Sequence, residues 1–369
     1  MSSRLGGFIA GQNINVAFST FTAVTSPTFT FPTNTATPAV GQAVQFTTTG
    51  TLPTGISLNT TYYVISVSSN TCQVSTTISG SATTYTNSTG SGTHTAVTQR
   101  AFNPYAGAPN TVEYLVVAGG GGTSVNAGGG GAGGLLQAAG FVVASGTALT
   151  VTIGAGGAGA TSGTASNGSN SVFSSITATG GGNGSENAVG ATGGSGGGGG
   201  YGALAGGAGT SGQGNAGGYS VKPSSYSYFG GGGGSGSTGT PGVATHAGGN
   251  GGAGSVVTIT GARLFLAGGG GGGAYGSGAG ELGGIGCAGG GNGSPISVGS
   301  ATPGQANTGG GAGSGAGGNQ TGQTGGSGIV VVRYPQINSA PALVTGAPQV
   351  RYADGYQIYI WTSSGSIIF

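Results

Sequence analysis

A backbone without side chains has only its own N–H and C=O groups to hold it in place, and long stretches of this chain are such a backbone. In "RLFLAGGGGGGAYGSG", residues 263–278, an aliphatic run meets six consecutive glycines. Similar junctions occur at "YLVVAGGGG" from Tyr114, "GGSGGGGGYG" around Gly200 and "YFGGGGGSG" from Tyr228. Glycine loses more conformational freedom on ordering than any other residue, roughly 0.5 to 1 kcal/mol relative to alanine. Over the 94 glycines of this 369-residue chain the penalty is on the order of 50 to 90 kcal/mol. Either these segments are flexible linkers or a repeated interaction offsets the cost. Disordered chains combine low hydrophobicity with high charge, whereas this one is 3% charged with a mean hydropathy of +0.14. Apolar pieces such as "GLL", "YGALAGG" and "ELGGIGCAGG" interrupt the runs, and linkers have no use for them. The runs are therefore expected to be ordered.

Polyglycine forms a left-handed threefold helix of the polyproline II type, about 3.1 Å per residue, with no internal hydrogen bonds. Such helices can pack side by side and bond laterally, satisfying every backbone group, with weak Cα–H···O contacts in support. Helix signals are nearly absent elsewhere, and Gly, Thr, Ser, Val and Ala dominate. The expected fold is all-β: a small N-terminal β-sandwich or barrel module, then a glycine-rich β domain with packed polyglycine II helices. Gly270→Val is expected to damage folding more than Ser294→Val.

Composition divides the chain into residues 1–14, a Thr/Ser-rich β module at 15–100, a linker at 101–110, the glycine-rich unit at 111–335 and a tail at 336–369. In the β module Val44 and Phe46 share one face of a strand, and Tyr63, Ile65 and Val67 share one face of another. The glycine-rich unit carries candidate strands "VEYLVVAG", "GLLQAAG", "ALTVTIGAG", "NSVFSSITATG", "SVVTITGARLFLAG" and "SGIVVVRYP". Glu113 in the first and Arg333 in the last are rare charges, so these strands are expected to be neighbours and the charges paired; two separately solvated charges are the alternative. Tyr356 to Phe369 reads as one terminal strand. Its edge is expected to pair within its own unit or with a neighbouring subunit.

Net charge is +2, with no basic patch, so nucleic acid is not an expected partner. No apolar run reaches the roughly 18 residues of a membrane span, and the N-terminus lacks a secretory core. No cofactor, metal or enzymatic activity is expected. The only lysine, Lys222, follows no phosphate-binding glycine loop, and G-x-G-x-x-G spacing arises by chance in such runs. The sole aspartate, Asp354, rules out calcium-binding repeats, and strict Gly-X-Y is missing. Glu113, Glu186, Glu281, Asp354, His94 and His246 are scattered without metal-ligand spacing. Cys72 and Cys287 read as small buried hydrophobes rather than a disulfide.

"YSVKPSSYSYFGGGGG" concentrates Tyr219, Lys222, Tyr226, Tyr228 and Phe229 between two glycine blocks. Pro223 and the adjoining serines favour an exposed turn, and tyrosines on loops of a rigid scaffold suit binding. These five residues are the candidate receptor contacts. A core-packing role is the rival reading, since Tyr226 and Tyr228 share a strand face.

Three pieces of the chain are similar to known families. "MSSRLGGFIAG" looks like the start of structural proteins from tailed phages of marine cyanobacteria and related hosts. "VGQAVQFTTTGTLPTGISLNTTYYVISVSSNTCQVSTT" resembles a β-module of phage tail and virion proteins. The stretch from "VEYLVVAGGGG" through "VTIGAGGAG" and "LAGGGGGGA" to "GGSGIVVVRYP" resembles the glycine-rich domain of phage tail fibres. The resemblance implies a virion protein assembled in the host cytoplasm, with residues 1–14 as the virion-attachment segment holding other virion proteins. It further implies a homo-oligomer, a trimer by analogy, and a host-surface glycan or protein as the target of a tail fibre or adhesin. A capsid decoration or fibre-shaft protein without receptor binding is the first alternative, an ice-binding or extracellular glycine-rich structural protein the second. In the resembling proteins a strand like "GYQIYIWTSSGSIIF" stands before a glycine-rich unit, whereas here it follows one.

Overall fold

The computed structural model describes residues 15–31, 40–58, 60–77, 80–85, 91–99, 108–276, 280–296, 299–317 and 320–369, with backbone alone for 15–25 and 97–99. The expected N-terminal segment 1–14 and linker residues 101–107 lie outside the described residues. The described chain contains strands, turns and extended segments and no α-helix. It divides into two units, one of residues 1–107 and 337–339, the other of 108–336 and 340–369.

In the first unit, β1 (Asn15–Thr25), β2 (Thr28–Thr30), β3 (Ala43–Thr48), β4 (Tyr62–Ser68), β5 (Thr71–Ser75) and β6 (His94–Gln99) close into a barrel in the order β1-β2-β5-β4-β3-β6. Strand alternation puts Val44, Phe46, Tyr62, Val64, Cys72 and Val74 inside, which leaves Tyr63, Ile65 and Val67 on the outer face. Aromatic rings fill the interior: Phe29 stacks on Phe46 at 5.0 Å and Tyr62 lies 5.4 Å from Phe46. Such pairs add about 0.5 to 1.5 kcal/mol beyond their buried area. Burial pushes the Cys72 thiol up to about 12.

The second unit contains β7 (Thr111–Val117), β8 (Leu135–Val142), β9 (Ala148–Thr152), β10 (Ser171–Phe173), β11 (Ile176–Ala178), β12 (Ser227–Tyr228), β13 (Ser255–Val257), β14 (Leu264–Leu266) and β15 (Ala274–Tyr275). It continues with β16 (Ile329–Pro335), β17 (Leu343–Thr345), β18 (Gln349–Ala353), β19 (Tyr356–Trp361) and β20 (Gly365–Ile368). One five-stranded sheet runs β18-β19-β16-β7-β8 and another β11-β10-β9-β20-β17, while β12-β15 and β13-β14 pair separately. β7 and β16 are covered on both faces, which explains their unbroken apolar runs. Val116, Val330, Val332 and Trp361 pack with Phe173, Leu149 and Ile367 of the second sheet. Leu115, Val117, Val331 and Ile358 meet Val257, Ile259 and Leu266 on the other side. Arg333 stands opposite Glu113.

The terminal stretch is not one strand. It bends at 362–364 to form β19, which pairs with β16 and β18, and β20, which pairs with β9 and β17. Both are used within the unit, because Trp361, Ile367 and Phe369 are needed to fill the space between the sheets. Residues 340–369 are thus part of the glycine-rich unit rather than a separate tail.

The glycine runs form the expected threefold array. In residues 119–123, Gly119 and Gly122 donate to the carbonyls of Ser169 and Ser166, Gly120 and Thr123 to those of Gly326 and Gln323, and Gly121 to that of Gly131. The carbonyls of the same residues accept from Gly181 and Gly184, from Gly157 and Ala160, and from Ala312. These ten bonds span 2.8 to 3.1 Å and tie one segment to six neighbours. Residues 129–134 repeat the scheme: Gly129 and Ala132 donate to Gly230 and Gly233, Gly130 and Gly133 to Ala312 and Gly309, Gly131 and Gly134 to Gly182 and Thr179. A partner that returns every third residue is the signature of a threefold helix. No glycine in 119–122, 128–134, 230–234 or 268–273 has a positive φ, so the hand is that of polyproline II. Successive backbone groups point in different lateral directions, and a hexagonal packing satisfies all of them.

Close approach explains why the residue must be glycine. A Cβ on Gly270 would overlap the Ala312 carbonyl, and one on Gly129 the Gly270 carbonyl. Ser294, expected to be a tolerant position, is itself buried in the array with its N–H on the Ser314 carbonyl.

A candidate binding face at the far end of the array

The lattice confines chemistry to its ends. Segment 118–124 leaves β7, turns at 125–126 and returns through 127–134 into β8. Segment 154–160 leaves β9, turns at 161–164 and returns into β10. Segments that never reach a strand keep the same two levels: Ser195 donates to Ala132 near β8, whereas Gly198 donates to Gly129 near the turn. One end of the array is therefore continuous with the sheets. The other is a face of turns, including 186–189, 201–203, 221–226 and 243–246. In the interior of the array only Gly, Ala, Ser and similarly small residues fit, and larger side chains such as that of Ile285 stand on its flanks, exposed.

The candidate receptor contacts lie on this far face, but not equally. Val221 and Tyr228 exchange two backbone bonds of 2.9 Å and close a hairpin around Lys222 to Ser227. Tyr219 is 54% exposed, Lys222 is exposed and Tyr226 half-buried. Tyr228 and Phe229 are 1% and 0% exposed. They are core residues that seat the hairpin: Tyr228 pairs with Ala274, and Phe229 donates its N–H to the Gly273 carbonyl at 3.0 Å. The turn signals were correct for 222–226, but the array begins at Phe229 and draws it and its neighbour inside.

Tyr201, Tyr275, His246 and Glu281 also belong to this end of the array. Tyr201 supports Lys222, whose Nζ lies 4.3 Å from its ring centroid. Tyr201 meets Tyr275 edge-on at 5.6 Å and lies 6.5 Å from Phe229. His246 stands edge-on to Tyr228 at 6.1 Å, with Nδ1 3.4 Å from the hydroxyl. Glu281 is buried nearby. Burial pushes the Tyr228 hydroxyl above its ordinary value, and the Glu281 carboxylate and Tyr226 add to it. The sequence signal for Tyr201 and Tyr275 is their place at the end of a glycine run, where the lattice stops and a side chain fits again.

A concavity of about 430 Å³ at the sheet end is lined by Leu135, Leu136, Gln213, Asn215, Ser235 and Ser255. Its polar groups are committed to structure: Gln213 Oε1 accepts the Thr179 N–H at 2.8 Å, Asn215 Nδ2 donates to the Gly234 carbonyl at 2.9 Å, and the Ser235 hydroxyl donates to Ser255 Oγ at 2.9 Å. Among the described residues, no three His, Cys, Asp or Glu side chains gather as metal ligands.

The family described as "Glycine-rich domain" matches residues 99–335, well over half of the chain, and the chain belongs to this family. No curated protein and no solved structure matches it.

Proposed function

We propose that this glycine-rich domain protein is a tail fibre or adhesin of a tailed phage, and that the far face of the array contacts the host-cell surface. The observation that carries the reading is the separation of roles within the second unit. The sheets hold the core, the interior of the array admits no large side chains, and exposed Tyr219 and Lys222 and half-buried Tyr226 lie in and beside the hairpin at its far end. A rigid scaffold that presents variable turns is how binding residues are commonly displayed, and tyrosine gives contact area and a hydroxyl at little entropic cost. The sequence resemblance of residues 1–11 and of the Thr/Ser-rich module to virion proteins supports the phage assignment.

The test is adsorption of particles carrying Tyr219→Ala/Tyr226→Ala. Loss of host adsorption by correctly assembled particles supports the adhesin. Unchanged adsorption points instead to a decoration or shaft protein without a receptor of its own.

A further inference from the structure

Resting on the adhesin reading, we infer that the hairpin 221–228 binds an acidic saccharide, with Lys222 receiving its charged group and Tyr226 the face of the sugar ring. Lys222 is the single lysine of the chain and the one Lys or Arg among the described residues of the far face. Arg263, Arg333 and Arg351 belong to the sheet end, where they adjoin β14, lie in β16 and lie in β18 respectively. The ammonium has no carboxylate within ion-pair distance among the described residues. Its contact is the Tyr201 ring, which holds a cation by its quadrupole without neutralising it.

The acids of this end are drawn back. Glu281 is 6% exposed, and the Glu186 carboxylate accepts the Gly163 N–H at 3.3 Å and the Asn126 amide at 3.4 Å. A positioned charge therefore projects beyond withdrawn negative ones.

The surroundings select among anions. Ser224 and Ser225 are exposed in the same turn as Lys222, and half-buried Tyr226 follows them, so hydroxyls and an aromatic ring lie within four residues of the charge. A single cation is too little for a nucleic-acid backbone, whose affinity grows with the number of phosphates neutralised. The exposed large hydrophobics of this end, Val189, Tyr219, Val243 and Leu282, come from separate segments, and with Tyr219 as the one aromatic among them they do not supply the aromatic, charge-depleted core of a protein interface. An acidic sugar offers one negative group, a ring of C–H bonds for an aromatic face and hydroxyls for the serines. Tyr201 in turn rests on Tyr275 and Phe229, so the ring beneath Lys222 is held before a ligand arrives, which lowers the cost of binding.

The experiment is biolayer interferometry of the full chain on polygalacturonate, polysialic acid and heparin, with methyl-esterified polygalacturonate and dextran as neutral counterparts. At least one acidic polymer is expected to bind about 10-fold more tightly than the neutral ones and to weaken as salt rises from about 0.05 to about 0.5 M, because screening acts on exposed charges. Lys222→Gln should bring acidic binding down to the neutral level, Lys222→Arg should retain it, and Tyr226→Ala should weaken it without removing its salt dependence. Failure of all three acidic polymers to bind, equal binding of acidic and esterified polymer, or indifference to Lys222→Gln overturns the inference. Labelled chain applied to host bacteria separates the two readings. Decoration of cells without binding to any acidic polymer removes the inference and leaves the adhesin, whereas acidic binding without decoration does the reverse.

Discussion

Arg333 and Glu113 face each other across β16 and β7, and the guanidinium places both Nε and Nη2 on one carboxylate oxygen, Oε2, at 2.9 and 2.7 Å. The two residues are 220 positions apart in the chain, so the pair records the meeting of the strands that precede and follow the glycine array, β7 and β16. Arg333 also lies over the Tyr356 ring at 4.2 Å, which fixes the guanidinium from the β19 side. The side chains are 18% and 26% exposed, so solvent screens the pair. A double-mutant cycle of Glu113→Ala and Arg333→Ala, read by urea unfolding, should give a coupling energy of up to about 1 kcal/mol that shrinks in high salt. A coupling of zero at low salt would deny the pair any energetic role.

Gly270 donates its N–H to Gly130 and approaches the Ala312 carbonyl closely. Gly270→Ala should cost about 1 to 3 kcal/mol or more, the usual range for overpacking, and Gly270→Val should prevent a soluble fold. Ser162→Val, at an exposed turn, should stay within about 0.5 kcal/mol. Thermal unfolding of the three variants checks the order, and equal stability would mean that the array is not packed.

Phe229→Ala removes a fully buried ring at the start of a threefold segment and should destabilise by about 3 to 5 kcal/mol. Tyr226→Ala should leave unfolding nearly unchanged while reducing attachment to cells. A stability loss at Tyr226 equal to that at Phe229 would assign both rings to the core.

Trp361 is the single tryptophan of the chain; it is 0% exposed and donates its indole N–H to the Thr345 carbonyl at 2.9 Å. Its fluorescence should be blue-shifted in the native protein and move to the red on unfolding. Truncation after Gly355 removes β19 and β20 together with Trp361, Ile367 and Phe369, so the product should lose its native near-UV circular dichroism. A folded product of altered oligomeric mass would return the terminal strands to a role between subunits.

The barrel should weaken in alkali. Burial raises the Cys72 thiol from 9.0 to about 12, and burial followed by the proximity of Cys72 raises the Tyr85 hydroxyl from 10.0 to about 12. Both groups hold their protons more tightly when folded. The stability is full below pH about 9 and falls as the unfolded chain ionises, until pH about 12, where the folded groups ionise too. Cys72 should resist a thiol reagent at pH 8 while partly exposed Cys287 reacts. Reaction of Cys72 at the rate of a free thiol, or unfolding midpoints unchanged between pH 8 and 11, would contradict this.

Much of this architecture was legible in the chain. The β-branched runs marked the strands, and the glycine blocks between them marked the threefold segments, because the absence of side chains and of charge left lateral backbone bonding as the means of holding them. Glu113 and Arg333 disclosed that two distant strands are adjacent. Three features were not legible. The bend at 362–364 divides what local pattern presents as one strand, since β19 and β20 are distinguished by partners far away in sequence. The fate of Tyr228 and Phe229 depends on where the lattice begins, which composition does not mark to the residue. Tyr201 and Lys222 are separated by a full passage through the array and back, so their contact follows from the packing of whole segments.

The array also sets an order of events in time. Gly120 and Thr123, in the first threefold segment, donate to Gly326 and Gln323 in a segment about 200 residues later. β7, which leads into that first segment, lies between β8 and β16. During synthesis the early glycines must therefore wait, with part of their backbone bonded to water, until nearly the whole unit has emerged. Long waits of this kind expose most chains to aggregation, because apolar surface is uncovered before its partner arrives. A glycine run has little apolar surface to uncover. The residue that makes the finished lattice so intolerant of substitution makes the unfinished one inert.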